Sequence, residues 1–275
     1  MTRRTTTPPV RRRLDAELVR RGLAASRQRA RELIAAGRVT VDGAPALKPS
    51  RLVAPHENVQ TRGEGPRFVS RAGEKLDAAL DRFGVDPRGR RALDAGASTG
   101  GFTDCLLQRG AAQVVAVDVG HGQLHERLRA DPRVEVRERC NVRHLAPGDL
   151  GEPFPLVVAD LSFISLRTVL PNLVALAAPG ADLVLLVKPQ FEAGRAEASR
   201  GRGVIRDPAV WRRVLEDVVR ATEALGAAIM GAMVSPITGA DGNVEFLLHA
   251  RTGAGAPSTP PDLAAVVAEA TARRS

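Results

Sequence analysis

The 275-residue chain has no tyrosine and a single tryptophan, and Phe, Trp and Tyr together make up 3% of it. That leaves few flat surfaces on which single-stranded bases could stack, so a nucleic-acid partner would have to be read by shape and phosphate charge. Cysteine is equally scarce. Cys105 and Cys140 stand alone, without CxxC spacing or a neighbouring His cluster. This argues against a zinc site or a disulfide framework, so no metal is expected and the expected compartment is the reducing cytoplasm. Long apolar runs are missing too. The most apolar region, residues 166–187, is broken by Pro171, Pro179, Gly180 and Asp182, short of the roughly 18 apolar residues that suggest a membrane span. The opening MTRRTTTPPVRRRLD is basic but lacks the apolar core of a secretory signal.

Positive charge is what the chain has in excess, and it is unevenly placed. The formal charge is +9; residues 1–60 hold 13 Lys or Arg against 5 Asp or Glu, and the other 215 hold 27 against 26. A small basic module joined to a roughly neutral larger domain accounts for this distribution.

The larger domain is organised around RALDAGASTGGFTDCLLQRGAAQVVAVD, residues 91–118. A short apolar run (Ala92, Leu93, Asp94) enters a Gly-rich turn. An amphipathic segment (Phe102, Leu106, Leu107) and a second apolar run ending in Asp118 follow, which together spell one βαβ unit. Glycines in the turn let the backbone approach a ligand, and a carboxylate at the tip of the second strand can accept hydrogen bonds from a ribose diol. Three ligands are compatible with such letters. A dinucleotide is disfavoured, because Ser98 stands where the second Gly of G-x-G-x-x-G should be. Gly96 to Gly100 also fits the nucleophile elbow G-x-S-x-G, with Asp160 and His249 following in hydrolase order, but little more than a helix precedes the first strand and no HGGG-like segment lies upstream. S-adenosylmethionine, with a ribose and a charged amino-acid tail but no phosphate, fits best.

Taken in order, residues 1–10 read as a disordered lead. From Arg11 two helical patterns follow, with Leu14, Leu18 and Leu23 on one face and Ala30, Leu33 and Ile34 on another. Ser26 is the expected N-cap, Gly37 the residue past the C-terminus, and Asp42-Gly43 a hairpin turn after Val39 and Val41. Arg27, Arg31 and Arg38 fall off the apolar face, where they suit a phosphate backbone. The string RLDAELVRRGLAASRQRARELIAAGRVTVDG resembles the α-L RNA-binding motif first described in a small-subunit ribosomal protein, over residues 11–60. The resemblance implies RNA binding through the two helices, with those three arginines as phosphate contacts.

Residues 61–67 read as a linker. A helix with Leu76, Ala79, Leu80 and Phe83 on its buried side follows, with Lys75 at the border of that face, where a lysine taken alone would lie along the surface. Beyond the βαβ unit come a strand at Val134 and Val136, a buried strand ending in Asp160 and a helix over residues 166–178. A strand ending in Lys188, a helix over 208–225 and strands at 229–234 and 244–249 complete the pattern. Such alternation specifies a mostly parallel sheet covered on both faces. Gly96, Asp118, Asn141, Asp160 and Lys188 all fall at strand carboxyl ends and should converge on one crevice. The Arg- and Gly-rich residues 195–203 suit a substrate-side lid or a merely variable loop, and residues 253–275 read as a flexible tail with a loose helix.

Asp160 and Lys188 end adjacent buried strands, a costly place for charges unless they are paired or used. With Lys75, and with Glu245 inside an apolar strand, they resemble the Lys-Asp-Lys-Glu tetrad of FtsJ-like ribose 2′-O-methyltransferases. Together with SRAGEKLDAAL, LDAGASTGGFTDCLL, VVADLSFISL and LVKPQFEAGR, the chain over residues 11–250 is similar to the TlyA family of rRNA 2′-O-methyltransferases. The resemblance implies a Rossmann-like S-adenosylmethionine-dependent methyltransferase with a seven-stranded, mostly parallel α/β sheet over residues 68–252, behind the small RNA-binding domain. It implies Lys75, Asp160, Lys188 and Glu245 as the tetrad. The cofactor's methionine side would lie along Gly96, Ala97, Ser98, Thr99, Gly100, Gly101 and Phe102, its ribose on Asp118, its adenine near Asn141, with Asp160 at its edge. The implied partner is ribosomal RNA within a subunit. A ribose hydroxyl is a weak nucleophile, so a base must take its proton as it attacks the sulfonium methyl. A lysine serves only where burial and a second cation make its neutral form accessible. Lys188 is the expected base and Lys75 the neighbouring cation, in roles that could be exchanged. A non-catalytic ribosome-assembly protein would share the basic module but have no use for the tetrad. Members of this family are also named haemolysins, yet no strongly amphipathic helix supports membrane lysis.

Overall fold

A computed structural model describes residues 11–24, 26–62, 67–194, 197, 203–239, 241–253, 255 and 259–274. The expected lead over 1–10, most of the linker and nearly all of the 195–203 loop lie outside the described residues. The chain divides between Ser70 and Arg71 into two units.

The smaller unit packs helices α1 (Leu14–Arg20) and α2 (Arg27–Ala35) on a small sheet of β2 (Val39–Val41), β3 (Ala44–Pro45) and β5 (Val59–Thr61), while β1 (Arg12–Arg13) pairs with β4 (Leu52–Val53). Local chemistry sets these limits. Ser26 Oγ accepts the Arg29 amide at 3.1 Å and opens α2, and Asp42 and Gly43, at φ +50° and +82°, turn the hairpin between β2 and β3. Leu14, Leu18, Ala30, Ile34, Val39 and Val41 form the buried core. Glu17 is buried as well. It accepts hydrogen bonds from Arg20 and Arg21, and the Arg20 guanidinium first, then Arg21, against the opposing cost of burial, bring its carboxyl down to about 2. Arg21 spends its other nitrogens on the carbonyls of Ala54, Pro55 and Glu57, clamping α1 to that loop.

In the larger unit the chain runs through α3 (Ala72–Phe83), β6 (Arg91–Ala95), α4 (Gly101–Gln108), β7 (Gln113–Val117), α5 (Glu126–Arg129), β8 (Val134–Arg137), β9 (Phe154–Ala159), α6 (Leu166–Leu176) and β10 (Ala177–Val187). It continues through α7 (Pro189–Glu192), α8 (Pro208–Glu223), β11 (Ala227–Val234), β12 (Phe246–Thr252) and α9 (Leu263–Ala272). The strands form one seven-stranded sheet in the order β11-β12-β10-β9-β6-β7-β8. Strands β6 to β10 are mutually parallel and only β12 runs against its two neighbours. From β6 the sheet grows one way through β7 and β8, and the other way through β9 and β10. That reversal between β6 and β9 opens a crevice at the strand carboxyl ends. Leu156, Val157, Val158, Leu183, Val184 and Leu185 are fully buried, the continuous apolar runs of strands covered on both faces.

Two boundaries differ from the sequence reading. Strand β12 begins at Phe246, so Glu245 stands just ahead of it rather than inside it. The helix expected to be loose within the tail forms as α9, opened by Asp262 accepting the Ala265 amide at 3.0 Å, and it is packed rather than loose. Its Val266, Val267 and Ala270 are buried against α8 and β11, because three apolar side chains on one side of a short helix find a matching apolar surface there.

Candidate active site

The turn between β6 and α4 is shaped by close approach. Gly96, at φ +89°, lies where a Cβ would stand 2.5 Å from the Asp160 carbonyl oxygen, and a Cβ on Gly100, at φ +95°, would run into Leu128 and Leu124. Backbone closes the first place to a side chain; at the second the leucine tips could shift, but the left-handed backbone still favours glycine. Asp118, just past β7, binds this turn: one carboxylate oxygen accepts the Ser98 amide at 2.8 Å and the other the Gly120 amide at 2.7 Å. Below the turn Asp94 is fully buried. One of its oxygens accepts the Thr103 hydroxyl at 2.6 Å, and the other has no partner among the described residues. Burial, with the nearby charges of Asp160 and Asp118 adding to it and the Thr103 bond opposing it, pushes its carboxyl up to about 7.

Beside the turn lies a cavity of about 550 Å³ lined by Gly96, Ser98, Asp118, Asn141 and Asp160, with apolar walls from Val142, Leu161, Ile164 and Val169. Of the other residues expected to hold a cofactor, Ala97, Thr99, Gly100, Gly101 and Phe102 are not among its lining; Ala97, Gly101 and Phe102 are buried behind the turn. The volume and the mix of apolar wall and few polar groups suit an adenosine-sized ligand.

The tetrad residues arrive from four places, and the strand register explains why three share one edge. Asp160 follows β9 directly and its amide donates to the Ala95 carbonyl. Lys188 follows Val187, the cross-strand partner of Phe246, and Glu245 precedes Phe246. Lys75 comes from the first turn of α3. They form two ion pairs: Lys188 Nζ lies 2.5 Å from Asp160 Oδ1, and Lys75 Nζ lies 2.5 Å from Glu245 Oε2. Among the described residues neither pair is hydrogen-bonded to the other. All four side chains are largely buried, Lys75 and Glu245 at 9% and 3% exposure, so Lys75 does not lie along the surface as a lysine at such a border position would on its own. Removing one partner of such a pair strands a charge away from water.

Lys188 also donates to Ser162 Oγ at 2.9 Å and lies 5.9 Å from the centre of the Phe191 ring. Ser162 and Phe163 line the cavity with Asp160. Phe163 is 93% exposed at φ +64°, its ring 5.4 Å from that of Phe191. Buried Glu192 holds the segment in place, accepting the Leu166 amide and the Ser165 hydroxyl and so tying α7 to the start of α6. Sequence reasoning did not single out Asp94, Ser162, Phe163 or Glu192. For Ser162 and Phe163 the available signal was their place directly after a strand-terminal Asp.

The hydrolase arrangement is not formed. His249 lies against Asp182 at 2.9 Å, and the Ser98 hydroxyl meets Gln123 at 3.3 Å. In the smaller unit Arg27 and Arg31 hydrogen-bond to Asp15, and Arg38 Nε donates to the Arg62 carbonyl at 2.9 Å. Among the described residues no three His, Cys, Asp or Glu gather as a metal site, and no helix is long and apolar enough to cross a membrane.

A seven-stranded sheet with one reversed strand, a Gly turn after its first strand and a carboxylate after its second define a Rossmann-like methyltransferase domain. The model of the FtsJ-like methyltransferase family matches residues 68–252, and that of the S4 domain residues 12–59. A Mycobacterium tuberculosis protein named 16S/23S rRNA (cytidine-2′-O)-methyltransferase TlyA is 54% identical over 241 residues, 87% of this chain and 90% of the relative. Hemolysin A of Brachyspira hyodysenteriae is 38% identical over 86% of this chain and 98% of its own. A solved Streptococcus thermophilus structure that also carries a hemolysin name is 37% identical, covers 96% of this chain and 98% of its own, and superposes with a TM-score of 0.75. The chain belongs to the FtsJ-like methyltransferase family and, within it, to the TlyA group.

Proposed function

We propose that the protein transfers a methyl group from S-adenosylmethionine to the 2′-hydroxyl of a cytidine in ribosomal RNA, in the cytoplasm. The observation that carries this reading is the Lys188–Asp160 pair at the edge of the cavity, in a chain 54% identical to a protein named for that reaction. Bound S-adenosylmethionine supplies an electrophilic methyl on a sulfonium. Asp118 spends one lone pair of each oxygen on the Ser98 and Gly120 amides and keeps others for a ribose diol. The turn over residues 96–102 takes the methionine side, and Asn141 the neighbourhood of the adenine.

Lys188 Nζ takes the 2′-hydroxyl proton as the oxygen attacks the methyl group. Asp160 and Ser162 aim its Nζ, and Glu245 holds Lys75 as the cation beside it. Much of the acceleration comes from alignment of hydroxyl, methyl and sulfur, since a well-placed pair of reactants reaches very high effective molarity. The S4 domain brings RNA to the enzyme, with Arg27, Arg31 and Arg38 on phosphates.

The test is transfer of tritiated methyl from S-adenosylmethionine to purified small and large ribosomal subunits lacking the modification, followed by mapping of 2′-O-methyl sites. Incorporation at a discrete cytidine that disappears in Lys188→Ala, with cofactor binding retained, is expected. No incorporation into subunits or whole ribosomes despite cofactor binding would refute the proposal.

A further inference from the structure

The S4 domain holds one carboxylate that serves three arginines. Asp15, in the first turn of α1, is fully buried. One of its oxygens accepts the Ala16 amide at 3.0 Å and Arg13 Nε at 3.1 Å. The other accepts Arg13 Nη2 at 3.3 Å, Arg27 Nη2 at 3.0 Å and Arg31 Nε at 3.4 Å. Burial alone would raise this carboxyl, yet the Arg13 and Arg27 hydrogen bonds and charges hold it well below the usual carboxylate range. The three arginines remain about half exposed, at 46%, 54% and 58%.

A structural tie between α1 and α2 needs one arginine. Three cations drawn within reach of one anion leave an excess of two positive charges at the surface. The contrast with Glu17 is informative, because its partner Arg21 turns inward and commits its remaining nitrogens to loop carbonyls. Arg27 and Arg31 each give Asp15 a single nitrogen, and their side chains make no other hydrogen bond among the described residues. Most of each guanidinium fork is therefore left to solvent, in an orientation already fixed. A guanidinium fork matches phosphate oxygens, and fixing it beforehand removes part of the ordering cost of binding.

We infer that Asp15 is a positioning residue that sets Arg13, Arg27 and Arg31 as one pre-formed clamp for the phosphodiesters of an RNA strand, two of which its excess charge would neutralise. This rests on the S4 domain binding RNA. Charge alone and pre-organisation give opposite signs for one substitution. Asp15→Asn adds a net positive charge, so a purely electrostatic face would bind RNA more tightly and with steeper salt dependence. Loss of the organising anion instead releases three side chains, for roughly tenfold weaker binding.

The experiment is filter binding of the full chain to protein-free ribosomal RNA across a salt series, with hydrogen exchange of the α1 and α2 amides reporting folding. Weaker binding by folded Asp15→Asn supports the clamp; equal or tighter binding overturns it. Should that variant unfold the domain, the double variant R27K/R31K decides, since it keeps the charge but not the fork: about fivefold weaker binding is expected, and unchanged binding overturns the clamp. The triple variant R13Q/R27Q/R31Q tests the underlying reading separately. It should lower the slope of log K against log salt by roughly 1.5, and wild-type binding by it would mean that this face does not touch RNA.

Discussion

Asp94 is the residue whose replacement tests the electrostatics of the larger unit most directly. Its carboxyl is fully buried and raised from the ordinary 3.8 to about 7, so the folded chain holds its proton where the unfolded chain has lost it. Between those two values the native state binds more protons than the unfolded state, and stability therefore falls as pH rises. A tenfold difference in proton affinity between the two states is worth about 1.36 kcal/mol. The loss then amounts to about 4 kcal/mol once pH exceeds the folded value, and about 3 kcal/mol of it falls above pH 5. Asp94→Asn is neutral throughout and keeps an acceptor for the Thr103 hydroxyl. The amide group it adds is buried without a partner, at a cost of about 1–3 kcal/mol that does not vary with pH. Relative to wild type, the variant should thus gain about 3 kcal/mol between roughly pH 5 and pH 8.5 and level off beyond the folded value. Urea unfolding followed by the fluorescence of Trp211 measures this, because the chain's one tryptophan is buried in the core of the same unit. A stability difference that stays flat across that range, or that moves in favour of wild type, would refute the burial argument.

Further outcomes follow from single contacts. Glu245→Ala should destabilise the larger unit by about 3 kcal/mol by leaving Lys75 buried and unpaired; a K75M/E245L double variant should recover most of that stability in urea unfolding while methyl transfer stays lost. Gly96→Ala must place a Cβ 2.5 Å from the Asp160 carbonyl at φ +89°, which should weaken S-adenosylmethionine binding at least about tenfold by calorimetry and cost more than about 1 kcal/mol of stability. A fluorophosphonate probe should leave Ser98 unlabelled, since the His249 ring is held by Asp182 rather than by Ser98; labelling read by mass spectrometry would revive the hydrolase assignment.

Periodicity and punctuation made much of this fold readable. The βαβ unit stood out because alternation, glycines and a strand-terminal carboxylate coincide within 28 residues, 91–118, and a parallel sheet then sends every strand end to one edge. The Asp42-Gly43 hairpin and the Ser26 cap are local chemistry, and local chemistry is what sequence displays best. Sequence says least where the outcome depends on distant partners. Asp94 lies in an apolar run, and nothing in its neighbours tells whether its side chain meets solvent or Thr103 in a helix not yet formed. Asp15 looks like an ordinary polar residue at a helix start until β1 and α2 bring three arginines to it. Lys75 has the spacing of a border residue, and only Glu245, 170 positions later, draws it inside. The helix of the tail reads as loose because α9 is short and rich in alanine, and its apolar side gains meaning only against α8 and β11.

The same dependence on distant partners separates the two lysines that the sequence left interchangeable. A base must reach the hydroxyl that faces the methyl group, and so must stand where cofactor cavity and substrate meet. Lys188 is held by Asp160 and Ser162, both of which line the cavity, whereas Lys75 is held by Glu245, and neither member of that pair lines it. The Lys188 partners are also set by the main chain: Asp160 by its amide on the Ala95 carbonyl, and the Ser162 segment by Glu192 at the start of α6. Lys75 sits on α3 against Glu245, whose carbonyl accepts the Ser235 amide at 2.9 Å and whose Oε1 would lie 2.6 Å from a Cβ on Gly239. The lysine whose partners line the cavity is therefore the better base, and this supports Lys188 in that role and Lys75 as its electrostatic neighbour.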